Sequence, residues 1–92
     1  MTDIENPVLD QIEAVILRLV TLRGDGKTIC PSEAARELGG PHPAGWGPLM
    51  QPVRKAAIRL KARGELSILR KGRVVEGDDF KGVYRLSLPR QE

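Results

Sequence analysis

The chain has 92 residues, 40% of them hydrophobic and 29% charged, with a net charge of +3. That length allows one domain with a modest core and excludes two. No apolar run approaches the roughly 20 residues of a membrane-spanning helix, and one cysteine, Cys30, excludes an internal disulfide.

The first helix is expected over 7–23. Asn6 is a good cap and Pro7 suits the first helical position, where its missing N–H is harmless. Val8, Ile12, Val15, Ile16, Leu19 and Val20 recur at helical spacing, and Leu9 and Leu17 widen the stripe. Arg23-Gly24 closes the helix with a base in its last turn and a glycine beyond. Asp25-Gly26-Lys27 is a turn, and the β-branched Thr28-Ile29 is a candidate short strand.

A second helix is expected over 31–38. Pro31 opens it, Cys30 caps it, and Glu33 stands at the capping-box spacing, although sulfur is a weak acceptor. Ala34, Ala35 and Leu38 are its inward positions. Residues 40–48 are dense in Gly and Pro and read as a loop carrying the only tryptophan, Trp46. This is longer than the turn of a minimal helix-turn-helix. The lone tryptophan is better suited to anchoring the loop than to stacking on a base.

The third helix is expected over 49–63, with Pro52 in its first turn. Val53, Ala56, Ala57 and Leu60 form the buried stripe. The opposite arc holds Arg54, Lys55, Ile58, Arg59, Lys61 and Ala62. Near its start, Gln51 either caps the helix or faces adenine, and the cap is the simpler reading. Ile58 is expected to pack rather than to touch a ligand. Wing strands are expected over 66–75 and 83–88: Leu66 and Ile68 point one way, Ser67 and Leu69 the other, and Val74-Val75 extend the first strand past Gly72. Glu76-Gly77-Asp78-Asp79 is a turn in a long connection ending near Gly82.

Helix, helix, strand in this order is the plan of a winged helix-turn-helix. The expected fold is therefore α+β, mainly α with a small hairpin: three helices plus a two- or three-stranded wing sheet, in one domain over 1–92.

Charge is concentrated in one part of this plan. Residues 54–73 hold eight bases against the single acid Glu65, a net +7, whereas residues 1–26 sum to −3. Such a cluster is the footprint of a polyanion binder, and equally of a solvated basic face. If the third helix enters the major groove, Arg54, Lys55, Arg59 and Lys61 are the candidate DNA contacts. Arg70, Lys71 and Arg73 are the candidate backbone contacts on the wing; charge that protects an edge strand gives the same pattern. The acids at 76, 78 and 79 would repel phosphate if they formed the wing tip.

Catalysis finds no support. The one cysteine and one histidine, Cys30 and His42, are not placed to act together, and they are too few for a four-ligand zinc site. The glycines at 39–47 lack the Lys-Ser/Thr partner of a phosphate-binding loop. The chain is read as no enzyme, with no cofactor, no metal and no membrane association. The acidic start, Met1-Thr2-Asp3-Ile4-Glu5-Asn6, lacks the basic region of a signal peptide, and the expected location is cytoplasmic.

The string Lys27-Thr28-Ile29-Cys30-Pro31-Ser32-Glu33-Ala34-Ala35-Arg36, then Trp46, Leu49-Met50, Val53-Arg54 and Lys71-Gly72-Arg73-Val74-Val75, resembles a small uncharacterised bacterial family known as a domain of unknown function. The resemblance covers nearly the whole chain. It implies a bacterial winged-helix-like domain and brings no activity or site. The functional expectation is a DNA-binding, transcription-regulatory winged helix with double-stranded DNA as partner. The alternative is a protein-interaction module that uses the same scaffold; RNA is disfavoured for want of aromatic platforms.

Overall fold

The computed structural model describes residues 5–90, with side chains from 8 onward. Helix α1 spans Glu5–Arg23. It begins two residues before Pro7, which lies in the first turn and costs no hydrogen bond there. The side chain of Asn6, expected as the cap, falls outside the described ones. Leu9, Ile12, Ile16 and Val20 are buried along one face. Gly24 ends the helix at φ +103°, its N–H reaching back 3.0 Å to Val20 O.

Helix α2 spans Pro31–Gly39. Cys30 is extended at the cap, and its N–H donates to Glu33 Oε2 at 2.9 Å, so Glu33 supplies half of the expected capping box. The segment that follows is not the plain loop expected. It holds a four-residue helix α3, Pro43–Trp46, and a 3-10 turn, Gly47–Leu49, leading directly into α4, Met50–Ala62. Pro43 and Pro48 each sit in the first positions of a helical turn, where a fixed φ favours starting a helix. These prolines punctuate helical turns rather than abolish them.

The connection is tight because two glycines touch. A Cβ on Gly45 would stand 2.2 Å from Gly39 O, and one on Gly39 would stand 2.5 Å from Gly45 O. No side chain fits between these backbones. Trp46 packs on the core beside Leu49, and the Arg36 guanidinium lies over its ring at 4.8 Å from the centroid.

Val53, Ala56, Ala57 and Leu60 of α4 are wholly buried. Past Ala62 the chain turns at Gly64, φ +76°. Glu65 N–H bonds Leu60 O at 2.9 Å and Gly64 N–H bonds Lys61 O at 3.0 Å. This paired closure satisfies carbonyls that a bare helix end would leave open.

The sheet is three-stranded and antiparallel: β1 Ser67–Arg70 in the centre, β2 Arg73–Val74 and β3 Arg85–Ser87 at its sides. Residues 66–75 are thus a hairpin, not the single strand expected. The chain folds back at Lys71-Gly72, with φ of 53° and 81°. Two consecutive left-handed residues are what a two-residue turn needs to match strand twist. Leu69 pairs with Val74, Ile68 pairs with Leu86, and Ile29 adds a one-residue bridge to Leu86. Leu66, Ser67, Ile68 and Leu69, expected to point alternately to two faces, are all buried. Ser67 Oγ accepts Arg90 N–H at 2.8 Å, so the segment after β3 packs over Ser67.

Three principal helices and a three-stranded sheet share one apolar cluster, to which α1 contributes Ile12 and Ile16, α2 Ala34 and Ala35, α4 Val53 and Leu60, and the strands Ile68 and Leu86. The fold is α+β and winged-helix-like. No helix among the described residues is long and apolar enough to cross a membrane.

Candidate nucleic-acid interface

Helix α4 advances about 100° per residue, so its charged residues leave it in three directions. On one flank, toward α1, Arg59 Nε meets Glu13 Oε2 at 2.9 Å, and Arg59 Nη2 meets Asp10 Oδ1 at 3.2 Å. Just past the end of the helix, Arg63 Nη2 meets Glu13 Oε1 at 2.9 Å. Glu13 is buried, and two guanidinium groups neutralise it. A carboxylate in that position needs such partners, because an unpaired buried charge is strongly unfavourable. The hydrogen bonds that Arg63 donates to Glu13, and then to Glu65, hold it charged more firmly than an ordinary arginine.

On the other flank, α4 meets the connection between β2 and β3. Lys61 Nζ donates to Glu76 O at 3.0 Å and stands 3.6 Å from Asp78 Oδ1. The Arg54 guanidinium lies 3.9 Å from the Phe80 ring centroid, and its Nη2 donates to Phe80 O. Phe80 and Tyr84 are both buried and pack edge to face, 5.0 Å apart at 70°. Burial pushes the Tyr84 phenol above its ordinary value, partly opposed by the nearby charge of Arg54.

The third direction faces solvent. Gln51, Lys55 and Ala62 are exposed there, and Ile58 is half-buried against the core. The open arc of α4 is therefore narrower than the sequence suggests. Gln51 does not act as the cap: Leu49 holds that position, and no side chain caps the helix. Gln51 instead borders an open depression of about 200 Å³, lined with Met50, Arg54 and Tyr84.

In the hairpin, Arg70 Nε donates to Val83 O at 3.4 Å. Lys71 and Arg73 stand exposed at the turn. Of the seven candidate residues, then, Arg54, Arg59 and Lys61 reach from α4 to neighbouring elements, and Arg70 reaches from β1 to Val83. Lys55, Lys71 and Arg73 are exposed, two of them in one turn. The acids of 76–79 are not at the hairpin tip. They lie beyond β2, where Lys61 meets them.

Sequence reasoning missed the roles of Glu13, Phe80 and Tyr84. Glu13 left a signal: it is a lone acid between Ile12 and Ile16 on the inward side of α1, where a basic partner is required. Among the described residues, no three His, Cys, Asp or Glu side chains gather to hold a metal ion.

A family model matches residues 9–89 of the chain. The chain belongs to DUF3253, a protein family of unknown function. The match runs from the first buried leucine of α1 to the segment after β3, so all the elements around α4, except the first turn of α1, fall within the family's extent. No curated protein matches the chain.

Proposed function

We propose that this domain binds duplex DNA as a transcription regulator. The exposed arc of α4 enters the major groove, and the Lys71-Gly72-Arg73 turn lies on the phosphate backbone. The observation that carries this reading is the turn itself. It displays two exposed bases on a two-residue reversal whose strand packs next to α4. Charge at the tip of a rigid hairpin reaches a phosphate without the entropy loss of ordering a loop.

The pairing on α4 narrows the roles. Arg59, Lys61 and Arg54 tie α4 to neighbouring elements, and Lys55, exposed on the solvent-facing arc, is placed on a phosphate. With Lys55, Lys71 and Arg73 each neutralising one phosphate, the logarithm of affinity falls against the logarithm of salt with a slope of about −3. Fluorescence anisotropy with a random-sequence duplex at low and moderate salt tests this. Lys71→Glu with Arg73→Glu weakens binding strongly and leaves the unfolding transition in place. Absence of binding at low salt overturns the reading.

A second reading is favoured by the same pairing: a basic helix largely neutralised from within, in a domain that also exposes Val83 and Leu22, suits a protein-interaction module. A pull-down that retains one protein after nuclease treatment, from a domain that binds no duplex, supports it.

A further inference from the structure

Resting on the DNA-binding reading, we infer that Gln51 and the depression beside it read one A·T base pair, with the Gln51 carboxamide on adenine and the depression receiving the thymine methyl. The two parts are adjacent. Gln51 is exposed and lines the depression together with Met50, Arg54 and Tyr84. A carboxamide offers one donor and one acceptor side by side, which matches adenine N6 and N7 in the major groove. The thymine paired with that adenine carries its 5-methyl group in the same groove.

The floor is suited to a methyl group. Its lining is mostly apolar and includes Met50 and Tyr84. Tyr84 is fixed by its edge-to-face contact with Phe80, 5.0 Å between centroids, and the Arg54 guanidinium is stacked on Phe80 in turn. A preformed apolar surface gains by burying a methyl and loses little in ordering. Arg54 is engaged by the Phe80 ring and carbonyl, so it is not available as a bidentate guanine reader.

A G·C pair fits poorly at this place. Guanine presents two acceptors, O6 and N7, so the Gln51 carbonyl oxygen faces another acceptor. Cytosine brings an amino donor and no methyl to an apolar floor. The position of Gln51 as the second residue of α4 is consistent with this role, since the N-terminal residues of a groove-bound helix reach base edges.

The test is selection from a random duplex pool, followed by anisotropy on the enriched duplex. The enriched site is expected to contain a position where A·T exceeds G·C by about 10-fold or more. Replacing that thymine with deoxyuridine removes only the methyl, and is expected to cost about 3- to 5-fold. Gln51→Ala is expected to collapse the A·T over G·C ratio at that position, and at no other. Because Gln51 is exposed, the variant's urea midpoint is expected to match the parent's. Salt-dependent duplex binding with no such position, or a preference insensitive to both deoxyuridine and Gln51→Ala, overturns the inference and leaves the DNA-binding reading standing. No duplex binding at low salt overturns both.

Discussion

The Arg54 guanidinium stacks on the Phe80 ring at 3.9 Å and donates a hydrogen bond to the Phe80 carbonyl oxygen. One side chain thereby ties the first half of α4 to the connection between β2 and β3, 26 residues later. The stack and the charged hydrogen bond each contribute on the order of 1 kcal/mol or more. Arg54→Ala is therefore expected to cost about 1–3 kcal/mol of stability. Gln51→Ala, on the exposed arc, is expected to leave stability within about 0.5 kcal/mol. Urea unfolding followed by circular dichroism compares the two.

Glu13 makes a second long-range tie, between α1 and the end of α4. Glu13→Gln removes the charge that Arg59 and Arg63 share and leaves two guanidinium groups facing each other. The expected loss is about 1–3 kcal/mol, less than for a fully buried pair because both arginines reach solvent. A double-mutant cycle of Glu13→Gln with Arg59→Gln, read by chemical denaturation, is expected to show favourable coupling between the two side chains.

The contact of Gly39 with Gly45 sets the geometry between α2 and α4. Gly45→Ala places a methyl 2.2 Å from a carbonyl oxygen, and only backbone movement relieves it. A loss of about 1–3 kcal/mol is expected, with a shift in the emission of Trp46, the next residue and the chain's only tryptophan. Gly47→Ala is the control, since nothing lies within 4 Å of a Cβ there.

Most of this fold is legible in the sequence. The helices follow from apolar spacing, and the ends of α1 and α4 from Gly24 and Gly64. The buried stripe of α4, Val53, Ala56, Ala57 and Leu60, follows from the same periodicity. What was not legible depends on distant partners. The outer arc of α4 reads as six positions facing outward, yet Arg59 is claimed by Asp10 and Glu13, and Lys61 by Asp78. No local pattern encodes those pairs. The hairpin was hidden for a different reason: Lys71 adopts a left-handed φ that is uncommon for lysine, so Gly72 alone marked the reversal. Residues 66–69 are all buried although their side chains alternate in direction, and the cover that the Arg90 backbone gives Ser67 is not encoded locally.

Tyr84 gives a pH prediction. Its phenol titrates above the ordinary 10.0 in the folded chain, chiefly because it is buried. Below that value both states are neutral and the group adds no pH dependence. As pH rises past it, the unfolded chain ionises first and stability falls. Tyr84→Phe is expected to remove this component of the alkaline loss. Thermal melts of both proteins between pH 8 and about 11, compared as a difference, check it.

The claim that this domain holds duplex DNA through Lys55 and the Lys71-Gly72-Arg73 turn is tested most directly by one titration. A labelled random-sequence duplex is titrated with the parent and with Lys71→Glu/Arg73→Glu across a series of salt concentrations. The predicted result is parent binding whose salt slope is about −3, reduced by about 2 in the double variant. Parent binding with an unchanged slope in the variant, or no parent binding at the lowest salt, contradicts it.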